Sequence, residues 1–419
     1  MTAMDGRVLV TGLGAVTPLG GDATSTWEGL LAGRSGVTLL EGPEYDGFPV
    51  RLGAPAVFDP AGVLPERTVR KTDRCQQMAL AAALEAWRDS GLAELAGSDL
   101  AVPGERLAVS IGSCMGGLTS VLEAWDALRE KGVRRFSPFT AGRVLPDAVA
   151  SWVSLELGAR AGMESPAAAC ATGNDSLRRG AELIRSGKAD VVVAGGTDAV
   201  LSPFGVATFT AMRALSRRND EPERASRPFG RGRDGFVLGE GAAVMVLESA
   251  GHARRRGARA YAELAGAGFS ADGHDFAQPD PSGAGQAAAL REALAGAGIE
   301  PSQVVHVNAH AAGTPQGDLT ESAAIRSVLG RYAEKVVVTA TKSAIGHLMG
   351  GAGATESMAT VLALHHRVVP PTLNQDDYDD EIGLDIAREP RELPGGELAA
   401  VSNSFGLGGH NGIIAFRTV

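Results

Sequence analysis

Short apolar runs recur along the chain at 8–10, 107–111, 191–194, 243–247, 304–307, 336–339 and 413–416, most of them rich in Val, Ile and Leu. Their length and β-branched content predict buried strands. Alanine-rich stretches at 76–90, 176–186, 285–297 and 353–364 lie between several of them and predict helices. Strands alternating with helices imply an α/β architecture with covered sheets. Two stretches read as distant copies of one unit. Cys170-Ala-Thr-Gly173 precedes the helix at 176–186, and Gly346-His-Leu-Met-Gly-Gly-Ala-Gly353 precedes one at 354–366. A duplicated chain is expected, with halves at 1–255 and 256–419 that join near Arg254-Arg-Arg256-Gly257 and reactive residues where they meet.

At 419 residues the chain has room for two or three ordinary domains or one large duplicated one. A hydrophobic content of 44% against 21% charged suits a well-buried enzyme, and 56 glycines with 5% aromatics indicate close backbone packing. No apolar run reaches the roughly 18 residues that a membrane-spanning helix needs. The start, Met1 to Gly6, is too short for a signal peptide before the strand-like Arg7-Val-Leu-Val-Thr11. Three cysteines, Cys75, Cys114 and Cys170, form no disulfide framework and no zinc spacing. A cytoplasmic, reduced protein without a metal centre is expected. The net charge of −10 argues against nucleic acid as a partner, though local patches outweigh the sum. Basic clusters occur at Arg67, Arg70, Lys71 and Arg74, at Arg134 and Arg135, and at Arg213, Arg217 and Arg218. By themselves these read as solvated faces.

Three segments each set a reactive group beside glycines: Ala168-Ala-Cys170-Ala-Thr-Gly173, Asn308-Ala-His310-Ala-Ala-Gly-Thr314-Pro315 and Lys342-Ser-Ala-Ile-Gly-His347. One cysteine and two histidines suit acyl chemistry, which needs a thiolate and groups that manage charge on a thioester carbonyl. Cys170, just ahead of a helix, should feel the positive end of its dipole, which lowers a thiol pKa. His310 should project from a strand end, with Asp318 and Glu321 just beyond; Lys342 and His347 bracket a loop. Cys114 reads as core packing or pocket lining, Cys75 as core. His252, His274, His306, His365 and His366 read as structural. Ser402-Asn-Ser-Phe-Gly-Leu-Gly-Gly-His-Asn411 reads as a glycine-rich turn before the last strand. It suits an oxyanion or gating loop better than a nucleotide site, because no strand–GxGxxG–helix unit is present.

Together these segments resemble the β-ketoacyl-acyl carrier protein synthases of the thiolase-like superfamily, particularly the elongating, KAS II-like enzymes of type II fatty-acid and polyketide synthesis. The likeness spans essentially the whole chain. It includes Val10-Thr-Gly-Leu-Gly14, Arg213-Ala-Leu-Ser216, Ser226-Arg-Pro-Phe229 and Arg233-Asp-Gly-Phe-Val-Leu-Gly-Glu-Gly241. It implies the thiolase-like fold, two βαβαβαββ halves in an α-β-α-β-α sandwich. It also implies an acyltransferase that condenses a Cys-bound acyl chain with malonyl-carrier protein, releasing CO2 and forming a 3-oxoacyl thioester. On matching positions, Cys170 is the acylated nucleophile, and His310 and His347 bond the malonyl thioester carbonyl and its enolate. Lys342 organises the site electrostatically, with Glu356 tying the halves together beneath it and Asp318 and Glu321 in support. The backbone N–H groups of Cys170 and Leu407 form the oxyanion hole, and Phe405 belongs to the gating loop.

The same resemblance places Thr314 on the pantetheine arm, with positions 312 and 277 beside it, and Met115, Phe209 and Phe236 in the acyl pocket. Arg67, Arg70, Lys71, Arg134, Arg135 and Arg213 ring the pantetheine entrance, where an acidic acyl carrier protein would dock. No cofactor is required beyond substrates carried on phosphopantetheine; some relatives hold a structural monovalent cation near Glu356, Asn308 and Asn403. A homodimer, or a heterodimer with a related ketosynthase or chain-length factor, is expected, with no nucleic acid and no membrane.

The departures are few. Where relatives read His-Gly-Thr-x-Thr-Pro, this chain has His310-Ala-Ala-Gly-Thr314-Pro315, so Ala312 lacks a hydroxyl expected to bond pantetheine. Such a bond is worth roughly 0.5–1.5 kcal/mol. Ala277 likewise stands where a threonine is common. Leu407 replaces the second Phe of Phe-Gly-Phe-Gly-Gly, the gate between the acyl and malonyl steps. These changes favour a specialised polyketide or modified fatty-acid pathway over housekeeping synthesis. The alternative is a non-catalytic partner resembling a chain-length factor. Such relatives typically lose the cysteine, whereas this chain keeps Cys170, His310, His347 and Lys342.

Overall fold

The computed structural model describes residues 6–419; the leader-free start read from the sequence falls almost wholly on 1–5, outside the described residues. The first half runs β1 (Val8–Val16), α1 (Arg74–Asp89), β2 (Leu107–Gly112), α2 (Ala148–Leu157), β3 (Gly162–Glu164), α3 (Thr172–Arg185), β4 (Val191–Asp198) and β5 (Gly241–Ser249). The second runs β6 (Ala262–Ala271), α4 (Ala284–Ala297), β7 (Val304–Asn308), α5 (Pro315–Leu329), β8 (Val337–Thr339), α6 (Ala352–His366), β9 (Ala399–Gly406) and β10 (His410–Arg417). Strand order is β3-β2-β4-β5-β1 in one and β8-β7-β9-β10-β6 in the other. Parallel and antiparallel pairings match position for position. An antiparallel contact, Leu9 with Glu263 and Val10 with Ala262, joins the two orders edge to edge.

The period-2 geometry of strands turns these sheets into layers. In β4, Val192 and Ala194 enter an inner core while Val191 and Val193 enter an outer one; β5 divides Met245 and Leu247 from Val244 and Val246 in the same way. The inner core holds α3 and α6; α1 and α2 cover one outer face, α4 and α5 the other. The result is the α-β-α-β-α sandwich. Every residue of α6 from Ala352 to Leu364 is buried, which explains a small, apolar composition without a polar face. α3 and α6 cross so closely that a Cβ on Gly173 would stand 2.3 Å from the Ala354 nitrogen.

Three strands lack the β-branched signature that marks the others: β3, β6 and β9. β6 is built of small residues because α4 lies directly on it. A Cβ at Gly268 would stand 1.9 Å from the Ala289 carbonyl oxygen. The stretch from 402 to 411, expected as a turn, is instead the meeting of β9 and β10, and only 407–409 turn. The basic stretch at 254–256 closes a helix, Ala250–Arg256, where Arg256 bonds the buried Glu248 at 2.6 Å.

Candidate active site

Cys170 sits on a strained elbow between β3 and α3. Ala169 holds φ at 49°, a left-handed value that non-glycine residues keep only where their surroundings force it. Thr172 supplies that force: its hydroxyl donates to the Ala169 carbonyl at 2.7 Å and accepts from the Ala168 N–H at 2.9 Å. The Cys170 carbonyl accepts from Ser404 Oγ at 2.8 Å, which ties the elbow to β9. The hairpin presses in behind it; a Cβ at Gly406 would lie 2.9 Å from the Cys170 nitrogen. Cys170 is buried, and burial pushes its thiol up to about 11 against the lowering effects of Lys342 and the Leu407 N–H. The lowered pKa expected from the helix dipole is therefore not the net outcome; desolvation outweighs it.

His347 Nε2 stands 3.0 Å from Cys170 Sγ. Its Nδ1 accepts the Met349 N–H at 3.2 Å, so the proton of the neutral ring resides on Nε2 and points at the sulfur. Met349, at φ 52°, is again left-handed. His310 packs edge-on to His347 with ring centroids 5.4 Å apart, and against Phe405 at 5.8 Å. Burial, then the nearby positive Lys342, hold both imidazoles well below their ordinary pKa. Both rings are neutral donors at physiological pH.

Lys342 and Glu356 form a buried ion pair at 2.5 Å. Both belong to the second half, so Glu356 does not tie the halves as expected. Its carboxyl is pushed up to about 7 by burial, opposed by Lys342. Asp318 and Glu321, on the first two turns of α5, hold the His310 loop by its backbone. Glu321 accepts from the N–H groups of His310 (2.9 Å) and Ala311 (2.7 Å), and from Asn403 Nδ2 (2.9 Å). Asp318 accepts from Gly313 (3.1 Å) and Phe229 (2.8 Å). Ala311 itself has φ 22°.

Two polar residues not singled out from the sequence join the halves. Asn174 Nδ2 donates to the carbonyls of Ser402 and Gly412, both at 3.1 Å, and its Oδ1 accepts from Ser357 Oγ at 2.9 Å. Asp198, fully buried, accepts from Ser113 Oγ (2.5 Å), the N–H groups of Cys114 and Met115 (both 3.1 Å) and Gly350 N–H (2.6 Å). It thereby locks the Met115 loop to the His347 loop. A carboxylate closing an apolar strand run was the available signal, because a buried charge needs several donors.

A cavity of about 340 Å³ opens on the site. Cys170, His310, His347, Phe405 and Leu407 line it, as do the packed pair Phe209 and Phe236 and the residues Ala277, Ala312 and Thr314. Met115 does not line it but packs in the apolar cluster behind Cys170, with Cys114. Arg213 stands at the wall, exposed. Arg67, Arg70, Arg134 and Arg135 are exposed elsewhere, and Lys71 covers the Phe139 ring at 5.3 Å. Arg74 is committed to Glu240 at 2.6 Å. His306 is structural as read, bonded to Thr339 and pushed down to about 3 by burial.

Residues 5–253 match the family described as Beta-ketoacyl synthase, N-terminal domain, and residues 261–376 match Beta-ketoacyl synthase, C-terminal domain. The 3-oxoacyl-[acyl-carrier-protein] synthase 2 of Coxiella burnetii is 41% identical to this chain over 415 residues, 99% of each. Among solved structures, similarity extends to a type II PKS acyl-carrier protein in complex with its ketosynthase bound to the hexaketide (TM-score 0.89, 33% identity, 99% of each chain). It extends also to the ishigamide ketosynthase/chain length factor (TM-score 0.88, 32% identity, 99% of each chain).

Proposed function

The chain belongs to the β-ketoacyl synthase family and is a condensing acyltransferase, and from that premise we propose how its residues divide the work. The half at 1–255 supplies the nucleophile; the half at 256–419 supplies both histidines, Lys342 and the gating turn. In the first step Cys170 sulfur attacks an acyl thioester, and the pantetheine thiol departs with the proton. The carbonyl oxygen meets the N–H groups of Cys170 and Leu407 as it becomes negative. In the second step the carboxylate–carbon bond of a malonyl thioester breaks and CO2 leaves. The electron pair becomes a thioester enolate, whose oxygen accepts from His347 Nε2–H and from His310. The enolate carbon attacks the Cys170 thioester, Cys170 thiolate leaves, and a 3-oxoacyl chain two carbons longer remains on the carrier.

The observation that carries this reading is the Nε2–H of His347 directed at Cys170 Sγ from 3.0 Å. Incubation with acyl-carrier protein should add the acyl mass to the intact chain, and Cys170→Ala should abolish it; unchanged labelling in that variant would refute the assignment. No observation favours a chain-length-factor-like role.

Acyl carrier protein is the proposed carrier, a reading that the similar ketosynthase in complex with its acyl-carrier protein supports. Arg213, exposed on the cavity wall, is its nearest proposed basic contact, and Arg67, Arg70, Lys71, Arg134 and Arg135 are proposed as further contacts on their charge alone. A second subunit is proposed at the β3 edge of the sheet, where Met163 of β3 and Leu155 of the adjoining α2 are 45% and 74% exposed. Either a like or a related subunit suits that edge. Glu356 Oε2 and Asn403 Oδ1 are buried without hydrogen-bond partners. They fit a small monovalent cation, which they would hold and which would balance the buried carboxylates. A cytoplasmic, reducing setting belongs to the proposal, since the nucleophile works as a free thiol and Cys75, Cys114 and Cys170 are unpaired. Leu407, Ala277 and Ala312 on the cavity wall support a specialised polyketide or modified fatty-acid substrate.

A further inference from the structure

We infer that Gln286 is a specificity contact for the amide-bearing arm of the thioester substrate, a role that rests on the condensing reading above. Gln286 lies in the first turn of α4, is 3% exposed, and lines the same cavity as Cys170. Its Oε1 is buried with no hydrogen-bond partner. Gln316, Asn411 and Asp272, which line the same cavity, are engaged within the protein. Gln316 Nε2 bonds Thr320 Oγ1 at 2.9 Å, Asn411 Nδ2 bonds Asp272 Oδ1 at 2.7 Å, and Asp272 Oδ2 accepts the Asp280 N–H at 3.1 Å. Buried amide oxygens are almost always paired, so an unpartnered one on a residue that lines the substrate cavity calls for a partner, and a donor of the bound arm is the one we infer.

The turn that carries Gln286 is held tightly. The Gly285 carbonyl accepts from Ser270 Oγ at 2.6 Å, and a Cβ at Gly285 would stand 2.3 Å from Asp272 Oδ1 and 2.6 Å from Asn411 Nδ2. The amide is therefore delivered to the channel by rigid backbone. Pantetheine is an extended arm with two secondary amides, and its N–H groups are the donors that Oε1 lacks. The cavity offers methyl groups at Ala277 and Ala312, and Gln286, from the first turn of α4, adds an amide to the same lining.

Gln286→Met keeps the length of the side chain and removes the amide. The test compares kcat/KM for acylation of Cys170 by an acyl-pantetheine with that for the same acyl group on a simple alkanethiol, which has no amide. The ratio of the two should fall roughly two- to tenfold in the variant, carried by KM, as expected for one lost hydrogen bond. An unchanged ratio overturns the inference, whether both rates hold or both fall together, since a purely structural role moves them equally. Failure of the wild-type chain to become acylated by either thioester would instead overturn the condensing reading itself, before the variant is compared.

Discussion

His347 Nε2 lies 3.0 Å from Cys170 Sγ although the two residues are 177 positions apart and belong to different halves. The contact exists because α3 and α6 meet at Gly173 and Ala354, and because Asp198 holds the Gly350 N–H at 2.6 Å. Each reactive residue also has a left-handed non-glycine neighbour: Ala169, Ala311 and Met349. Three of the seven left-handed non-glycine residues among the described residues thus lie within two positions of the reactive trio.

With the Cys170 thiol pushed up to about 11, thiolate is a minor species at neutral pH. Alkylation by iodoacetamide, followed by intact mass, should quicken about tenfold per pH unit from 7 to 10, because the thiolate is the nucleophile. A plateau near pH 8 would contradict this. Lys342 lowers the thiol pKa, so Lys342→Met should slow alkylation at any fixed pH in that window.

The two histidines act as neutral donors. Release of CO2 from malonyl-carrier protein should fall about 100- to 1000-fold in His310→Ala and in His347→Ala, the usual cost of one oxyanion donor. Both rings are held well below their ordinary pKa, so protonation sets in only in more acid solution. Histidine protonation should thus bring no rise in release between pH 8 and 6 in the wild type. A steady rise toward pH 6 would mean that an imidazolium is the working form.

The Lys342–Glu356 pair is buried at 1% and 0% exposure. A buried charge left without its partner costs about 3–5 kcal/mol where it stays charged. The Glu356 carboxyl, already pushed up to about 7, takes up a proton once Lys342 is gone, and the loss falls below that range. Lys342→Met should lower the chemical denaturation midpoint accordingly. Adding Glu356→Leu should recover much of the loss, since a buried pair replaced by apolar groups is often neutral. A double variant less stable than the single would show that Glu356 is held by other groups.

The sequence made the reactive trio legible because nucleophile and histidines stand in glycine-rich segments, and it made the strands with Val and Ile legible because they are buried on both faces. β6 escaped because helix contact selects small residues there, as Gly266 and Gly268 under α4 illustrate. The sign of the Cys170 shift escaped for a different reason. A helix dipole is local and can be read from the residue before a helix, whereas desolvation depends on Ser404, Gly406 and the rest of the wall, assembled from distant segments. Asp198 and Asn174 escaped likewise: the partners of Asp198 lie on two loops and those of Asn174 on β9, β10 and α6, and only the fold brings them together.

Ala311 separates two opposing backbone effects. It sits at φ 22°, where relatives of this pattern carry glycine, and its N–H is fixed by Glu321 at 2.7 Å. An L-residue in left-handed backbone is strained by roughly 1–2 kcal/mol, while glycine loses about 0.4–1 kcal/mol through the freedom of the unfolded chain. Strain is the larger quantity, so Ala311→Gly should be neutral to stabilising by about 1 kcal/mol in denaturant melts. Ala312, next in the chain, is outside the left-handed set, and Ala312→Gly has no strain to relieve. It should be destabilising by about 0.4–1 kcal/mol. The two neighbours should therefore respond with different sign to one and the same substitution. Equal losses at both would show that the loop is unstrained and that Glu321 alone sets the position of His310.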